Sequence, residues 1–194
     1  MSLIKLIDFF STFSKVPVEV DDVLEKIVQE YQIFETIRIN GSDLIEPGTL
    51  RGVHYRYIEP INGKKILVCQ ICYSNHDPLP WQRVACVKEL IHILDAATAR
   101  TTDWEAVDSL AEHLAPAGNG SGTPSLDVIK DNLAYYQAAA VLFPEEMRED
   151  LVQEYRAGGI TLSDIAIRLA LPEELIKPML TQAWPEFLKR LKSC

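Results

Sequence analysis

The chain of 194 residues has no apolar run approaching the roughly eighteen that a bilayer-spanning helix needs. Its amino terminus carries acidic residues and lacks the apolar stretch of a secretory signal. Both absences predict a cytoplasmic protein without a membrane partner. Cysteine is scarce as well. Cys69, Cys72, Cys86 and Cys194 are too few and too scattered for the disulfide framework of a secreted domain. Cys69 and Cys72 have the spacing of half a zinc site, but no second C-x-x-C or H-x-x-x-H pair follows. On a strand the two point to opposite faces, so they read as small core or edge residues. Positive charge is short too: 19 Lys and Arg stand against 28 Asp and Glu, a net charge of -9. Phosphate contacts need clustered Lys and Arg, so this balance argues against nucleic acid and anionic membranes. Lys189, Arg190 and Lys192 gather where a helix C-terminus would balance its dipole. Gly118, Gly120 and Gly122 lie in a Pro-, Ser- and Thr-rich stretch, 116–125, without the lysine of a phosphate-binding loop; it reads as a flexible connection.

What is present is enough to fold. A chain of this length with 47% hydrophobic residues can bury a core and suits one domain, or a domain with a small appendage. Leu3 to Phe13 and Val20 to Tyr31 show helical spacing, with Asp21 and Asp22 placed to cap the second helix. Phe34 to Ile39 suits a short strand turned by Asn40-Gly41. Arg51 to Glu59 and Lys64 to Tyr73 are rich in β-branched and aromatic residues around Asn62-Gly63, a hairpin signal. A helix is expected from near Pro80 to about Ala99, another over Trp104 to Ala115, and a third from Asp131 up to a proline, Pro144. Beyond it, Glu145 to Arg156 reads as helix, Gly158-Gly159 as a break, and Thr161 to Leu180 as two short helices split at Pro172.

The chemistry concentrates in Lys88-Glu89-Leu90-Ile91-His92. It is the zinc-binding helix pattern H-E-x-x-H with its first histidine replaced by lysine. In the intact pattern two neutral imidazoles on one helical face hold Zn2+ and the glutamate activates the bound water. An ammonium cannot ligate until it loses its proton, and beside a metal it repels. Taken alone, the five residues are better read as a solvated helix edge with one half-buried histidine.

Two further segments add to it. Asp131-Asn132-Leu133-Ala134-Tyr135-Tyr136-Gln137-Ala138-Ala139-Ala140-Val141-Leu142-Phe143-Pro144 is similar to the E-x-x-A-N-x-F-A-A-x-L-L-M-P segment of the ImmA/IrrE family of zinc-peptidase-like proteins. Arg83 to His92 resembles that family's R-F-T-x-A-H-E-L-G-H run, with Lys88 at the first His, Glu89 at the catalytic Glu and His92 at the second His. Asp131 falls at the third ligand, a Glu in the family; Ile91 replaces a glycine and Tyr135 an Asn. The resemblance spans roughly Gly52 to Leu180. It implies an α+β fold, mainly helical, with a small antiparallel sheet packed beside the motif helix. The expected division is a zincin-like, minimal peptidase domain over 1–157 and a small helical, helix-turn-helix-like tail over 158–194.

The altered motif makes a catalytically impaired relative, acting in regulation or through a protein partner such as a repressor, the leading expectation. In that reading Glu89 is a vestigial catalytic residue, Lys88 a cation standing in for the metal, and no cofactor is expected. His92 and Asp131 are the ligands if metal is bound. The first alternative is an active zinc metalloendopeptidase that cleaves a repressor, its site rebuilt from Glu89, His92, Asp131 and a recruited histidine, with His76 the first choice because its loop abuts the motif helix. His54 and His113 read as ordinary strand and helix residues. The second alternative is a helix-turn-helix regulator, against which Glu173 and Glu174 count, because a DNA-reading helix needs donors at those positions.

Overall fold

The computed structural model describes residues 3–31, 33, 35–46, 51–95 and 126–193. Helix α1, Leu3–Ser11, buries Leu6, Ile7 and Phe10 along one stripe, the spacing that makes it amphipathic. Helix α2 is Val20–Tyr31. Its Asp22 carboxylate accepts from the Glu19 backbone N–H at 3.1 Å and from Lys15 at 2.8 Å, so one side chain satisfies an open helix end and a nearby cation.

Three strands follow: β1 Thr36–Ser42, β2 Gly52–Ile61 and β3 Lys64–Ser74. Asn62 and Gly63 take φ of 49° and 77°, the positive pair that a tight two-residue hairpin requires. The sheet order is β1-β3-β2, with β2 antiparallel and β1 parallel to β3. The sheet is therefore mixed, which corrects the expectation of an antiparallel one. Asn40-Gly41 does not turn the chain either, because β1 runs through it, Gly41 opposite Tyr73. A two-residue turn needs an antiparallel partner next in sequence, and β1 has none. Gly41 serves close approach instead: a Cβ there would lie 1.8 Å from Asn75 Oδ1. As the central strand, β3 buries consecutive residues Val68, Cys69, Gln70 and Ile71, and so loses the alternation of a one-sided strand.

The motif helix α3, Leu79–Asp95, crosses the sheet and also packs against α2 and α4, Leu126–Leu142. Every residue from Arg83 to Ile91 is buried, so α3 is central and has no solvated face there. Helix α4 stops just before Phe143-Pro144, since a residue preceding proline is pushed out of helical conformation. A single turn, Glu145–Met147, leads into α5, Arg148–Arg156. Gly158 at φ 74° lets the chain reverse. Helix α6, Leu162–Leu169, opens on a reciprocal cap between Thr161 and Asp164 and ends at Ala170 in left-handed conformation. Short helix α7, Glu173–Met179, and α8, Trp184–Ser193, complete the chain. One hydrophobic cluster unites Leu6, Ile71, Leu90, Val141, Leu169 and Leu191, so the tail residues share the core with the rest. The molecule is thus α+β and mainly helical, and among the described residues no helix is long and apolar enough to cross a membrane. The expected helix at Trp104–Ala115 and the loop at 116–125 lie outside the described residues, as does the expected end of α3 at Ala99.

Candidate functional site

Two buried charges stand side by side on α3. Lys88 is 2% exposed and Glu89 4%, and the ammonium lies 3.2 Å from Glu89 Oε1. An ionised group this far from water is costly unless paired, so the fold must supply partners from neighbouring elements. Helix α4 places the Tyr135 ring beneath the ammonium, 4.8 Å from its centroid, where the electron-rich face attracts a cation. Strand β2 supplies His54, whose Nδ1 is 2.7 Å from Glu89 Oε2. A carboxylate only accepts, so Nδ1 carries the proton and Nε2 of a neutral ring is left as an acceptor.

The approach of β2 to α3 depends on residue 52. A Cβ on Gly52 would meet Glu89 Cγ at 3.3 Å, a few tenths of an ångström tighter than usual, and Ala85 Cβ at 3.4 Å, at the edge of ordinary contact. With glycine there, the strand sits close enough for His54 to reach the carboxylate. Gly52, His54 and Arg56 share one face by strand alternation, and Arg56 extends along α3 to the Ile93 carbonyl at 3.4 Å and to Glu35 at 3.0 Å. Burial pushes the Glu89 carboxyl up, but the His54 hydrogen bond and the charges of Lys88 and His92 outweigh it, and the net direction is downward. Glu89 is therefore held ionised.

His92, one turn along from Lys88, stacks on His54 with ring centroids 6.2 Å apart and planes 24° apart. The site thus joins Lys88, Glu89, His92, His54 and Tyr135. Asp131 lies on α4, and its side chain is outside what the structure describes. His76 is not drawn in: its Nε2 donates to the Asp43 carbonyl at 3.2 Å on an exposed loop. His113 lies outside the described residues. Cys86 is buried on the same helix, its thiol pushed up to about 12 by burial first and by the Glu89 charge second, which leaves it a poor nucleophile. Cys69 is fully buried and Cys72 half-buried, and both are free thiols.

A catalytic zinc ion would need donors beyond the described side chains around Glu89. Such a site uses three protein ligands and an open position, and among the described residues no three His, Cys, Asp or Glu side chains are grouped to hold a metal. More directly, a buried ammonium occupies the helical position of a ligand and already engages the carboxylate that would act on metal-bound water.

His54 is the site residue that reading the sequence missed. Its strand is predicted from the sequence, but the ring reads there as an ordinary strand residue near Tyr55 and Tyr57. Those two tyrosines stack on each other 5.9 Å apart on the opposite face. Alternation from Gly52 was the available signal. Arg83, one turn before the site on α3, has a different task. Buried, it donates to the carbonyls of Val18, Leu169 and Ala170 and so ties the start of α2 and the tail to the motif helix. At the N-terminal end of α3, Trp81 stacks under Arg51 at 3.9 Å and meets the Tyr135 edge-on at 5.8 Å; Arg51 pairs with Asp77 at 2.5 Å. Compared with known proteins, the chain matches no family model, no curated protein and no solved structure.

Proposed function

We propose that this chain is a non-catalytic, metallopeptidase-like protein that acts through protein contacts, in the manner of a regulator, with Lys88 performing the electrostatic task of the missing metal. The observation that carries this reading is the Lys88 ammonium, buried and 3.2 Å from Glu89. In an H-E-x-x-H enzyme a cation offsets the glutamate and leaves it free to take a proton from water. Here the same carboxylate is held ionised on both oxygens, by Lys88 on one and His54 on the other. A base so satisfied has little left with which to activate a nucleophile. The likeness of Arg83–His92 and Asp131–Pro144 to the ImmA/IrrE segments supports the descent of the site from a peptidase. The acidic balance and the exposed Glu173 and Glu174 argue for a protein partner over duplex DNA.

Elemental analysis of purified chain dialysed without chelator tests the reading. The expected result is far less than one zinc per chain. Stoichiometric zinc would overturn the proposal in favour of a metalloendopeptidase. A second arm uses Lys88→His, which restores two imidazoles four residues apart and should create zinc affinity that the parent lacks.

A further inference from the structure

A groove opens where the start of α3 meets α6 and α7, with a volume of about 350 Å³. Pro78, Pro80 and Trp81 form one wall, and Ile167, Leu171 and Pro172 the other. Glu173 and Glu174 stand at its rim. Its lining is mostly apolar and it lies open to solvent on one side. Ile167 in the lining is 76% exposed, and Leu79, between the lining residues Pro78 and Pro80 in sequence, is 65% exposed. Large aliphatic side chains left this open beside a concave apolar wall are the surface pattern of a contact site.

The rim selects the occupant. Glu173 and Glu174 are both exposed, and neither forms an ion pair among the described residues. Basic side chains beside an apolar anchor would meet those carboxylates, whereas an acidic or phosphorylated segment would be repelled. Because the groove is open on one side, it can take one or two side chains of a segment but would leave much of a small molecule's surface in water. The walls are also firm: Trp81 is held by Arg51 on its face and Tyr135 at its edge, while the Thr161–Asp164 cap and the Arg83 bonds to Leu169 and Ala170 fix α6. A preformed groove loses less ordering entropy on binding.

We infer that this groove docks an amphipathic segment of a partner protein, with an aliphatic residue seated between Trp81 and Ile167 and Lys or Arg flanks paired to Glu173 and Glu174. The inference deepens the reading of the chain as an interaction protein and rests on it. The groove contains neither Lys88 nor Glu89, so the zinc assay can fail while the groove proposal stands, and the reverse.

The probe is a fluorescently labelled amphipathic peptide of leucine and lysine, compared with its leucine and glutamate counterpart. Anisotropy should show saturable binding of the lysine peptide only, with amide shifts confined to Trp81 and residues 166–174. Ile167→Glu, at an exposed position that folding tolerates, and Glu173→Lys with Glu174→Lys should each weaken binding at least tenfold. Glu149→Lys with Asp150→Lys, on exposed α5, should leave it within twofold, which separates the rim from the general acidity of the chain. Equal loss in that control, shifts outside the groove, or comparable binding of the glutamate peptide would overturn the proposal. So would a dimer in sedimentation that Ile167→Glu dissolves, which would assign the groove to a second copy.

Discussion

Helix α3 passes through two environments that treat polarity in opposite ways. At its middle, Lys88 and Glu89 are withdrawn from water, and each is met by a side chain from another element: Tyr135 from α4 and His54 from β2. At its first turn, Pro80 and Trp81 face an open apolar groove whose charges stand only at the rim. Buried charge must be answered locally, because desolvation is costly and water cannot help. Exposed apolar surface costs little while it stays small, and it remains available to a partner. The contrast teaches that the part of this helix carrying the motif is closed to water, while its first turn, which carries none, is open to it.

The contrast predicts an ordered series of stability changes. Lys88→Met should have the largest effect, destabilising the fold by about 3 kcal/mol in urea unfolding, because Glu89 would keep a buried charge with one partner fewer. Adding Glu89→Gln should recover part of that loss; a double variant as unstable as the sum of the singles would show that the pair is not coupled. The pH dependence has a definite sign. With its folded pKa depressed, Glu89 contributes stability above the ordinary carboxylate range, and that contribution is lost as pH falls through the depressed value. Removing Lys88 should therefore move the acid unfolding midpoint upward.

His54→Ala should come next, at about 2 kcal/mol, since it removes a hydrogen bond to a charged group but leaves Lys88 in place. Loss below about 0.5 kcal/mol would mean that water replaces the imidazole. Thr161→Ala should cost about 1 kcal/mol by opening the start of α6, measurable as a lowered urea midpoint with unchanged slope. Smallest are the groove substitutions. Ile167→Ser and Glu173→Gln should change stability by less than about 0.5 kcal/mol, as exposed positions do. A large loss at Ile167 would show that the groove wall is core and not a free surface.

Much of the fold was legible because its signals are local. Asn62-Gly63 announces a hairpin through the two positive φ values it tolerates. Pro144 and Gly158 mark helix ends through backbone geometry alone. The same rule misled at Asn40-Gly41, where the dipeptide lies inside a strand and the glycine makes room for Asn75. A turn signal carries no information about the strand that arrives from elsewhere. In the site, Lys88 and Glu89 were legible as a departure from a known pattern, but their burial was not, because five residues with two charges read as a solvated helix edge until the sheet, α2 and α4 close around them. His54 was not, because its partner lies 35 residues away and the alternation that aims it needs to know which face meets α3.

By itself, then, the sequence determined where the hairpin turns and where α4 and α5 end, though not that α4 starts at Leu126 rather than Asp131, and it determined which residues could bear chemistry and that one of them was a lysine in a ligand's place. These follow from backbone preferences and side-chain chemistry, properties a residue carries wherever it sits. Only the tertiary structure decided that β1 joins β3 in parallel, that Gly52 lets His54 reach Glu89, and that α3 and α6 leave a groove between them. Those outcomes depend on which surfaces meet when apolar area is buried, and that choice is made by the packing of distant segments together rather than by any one of them.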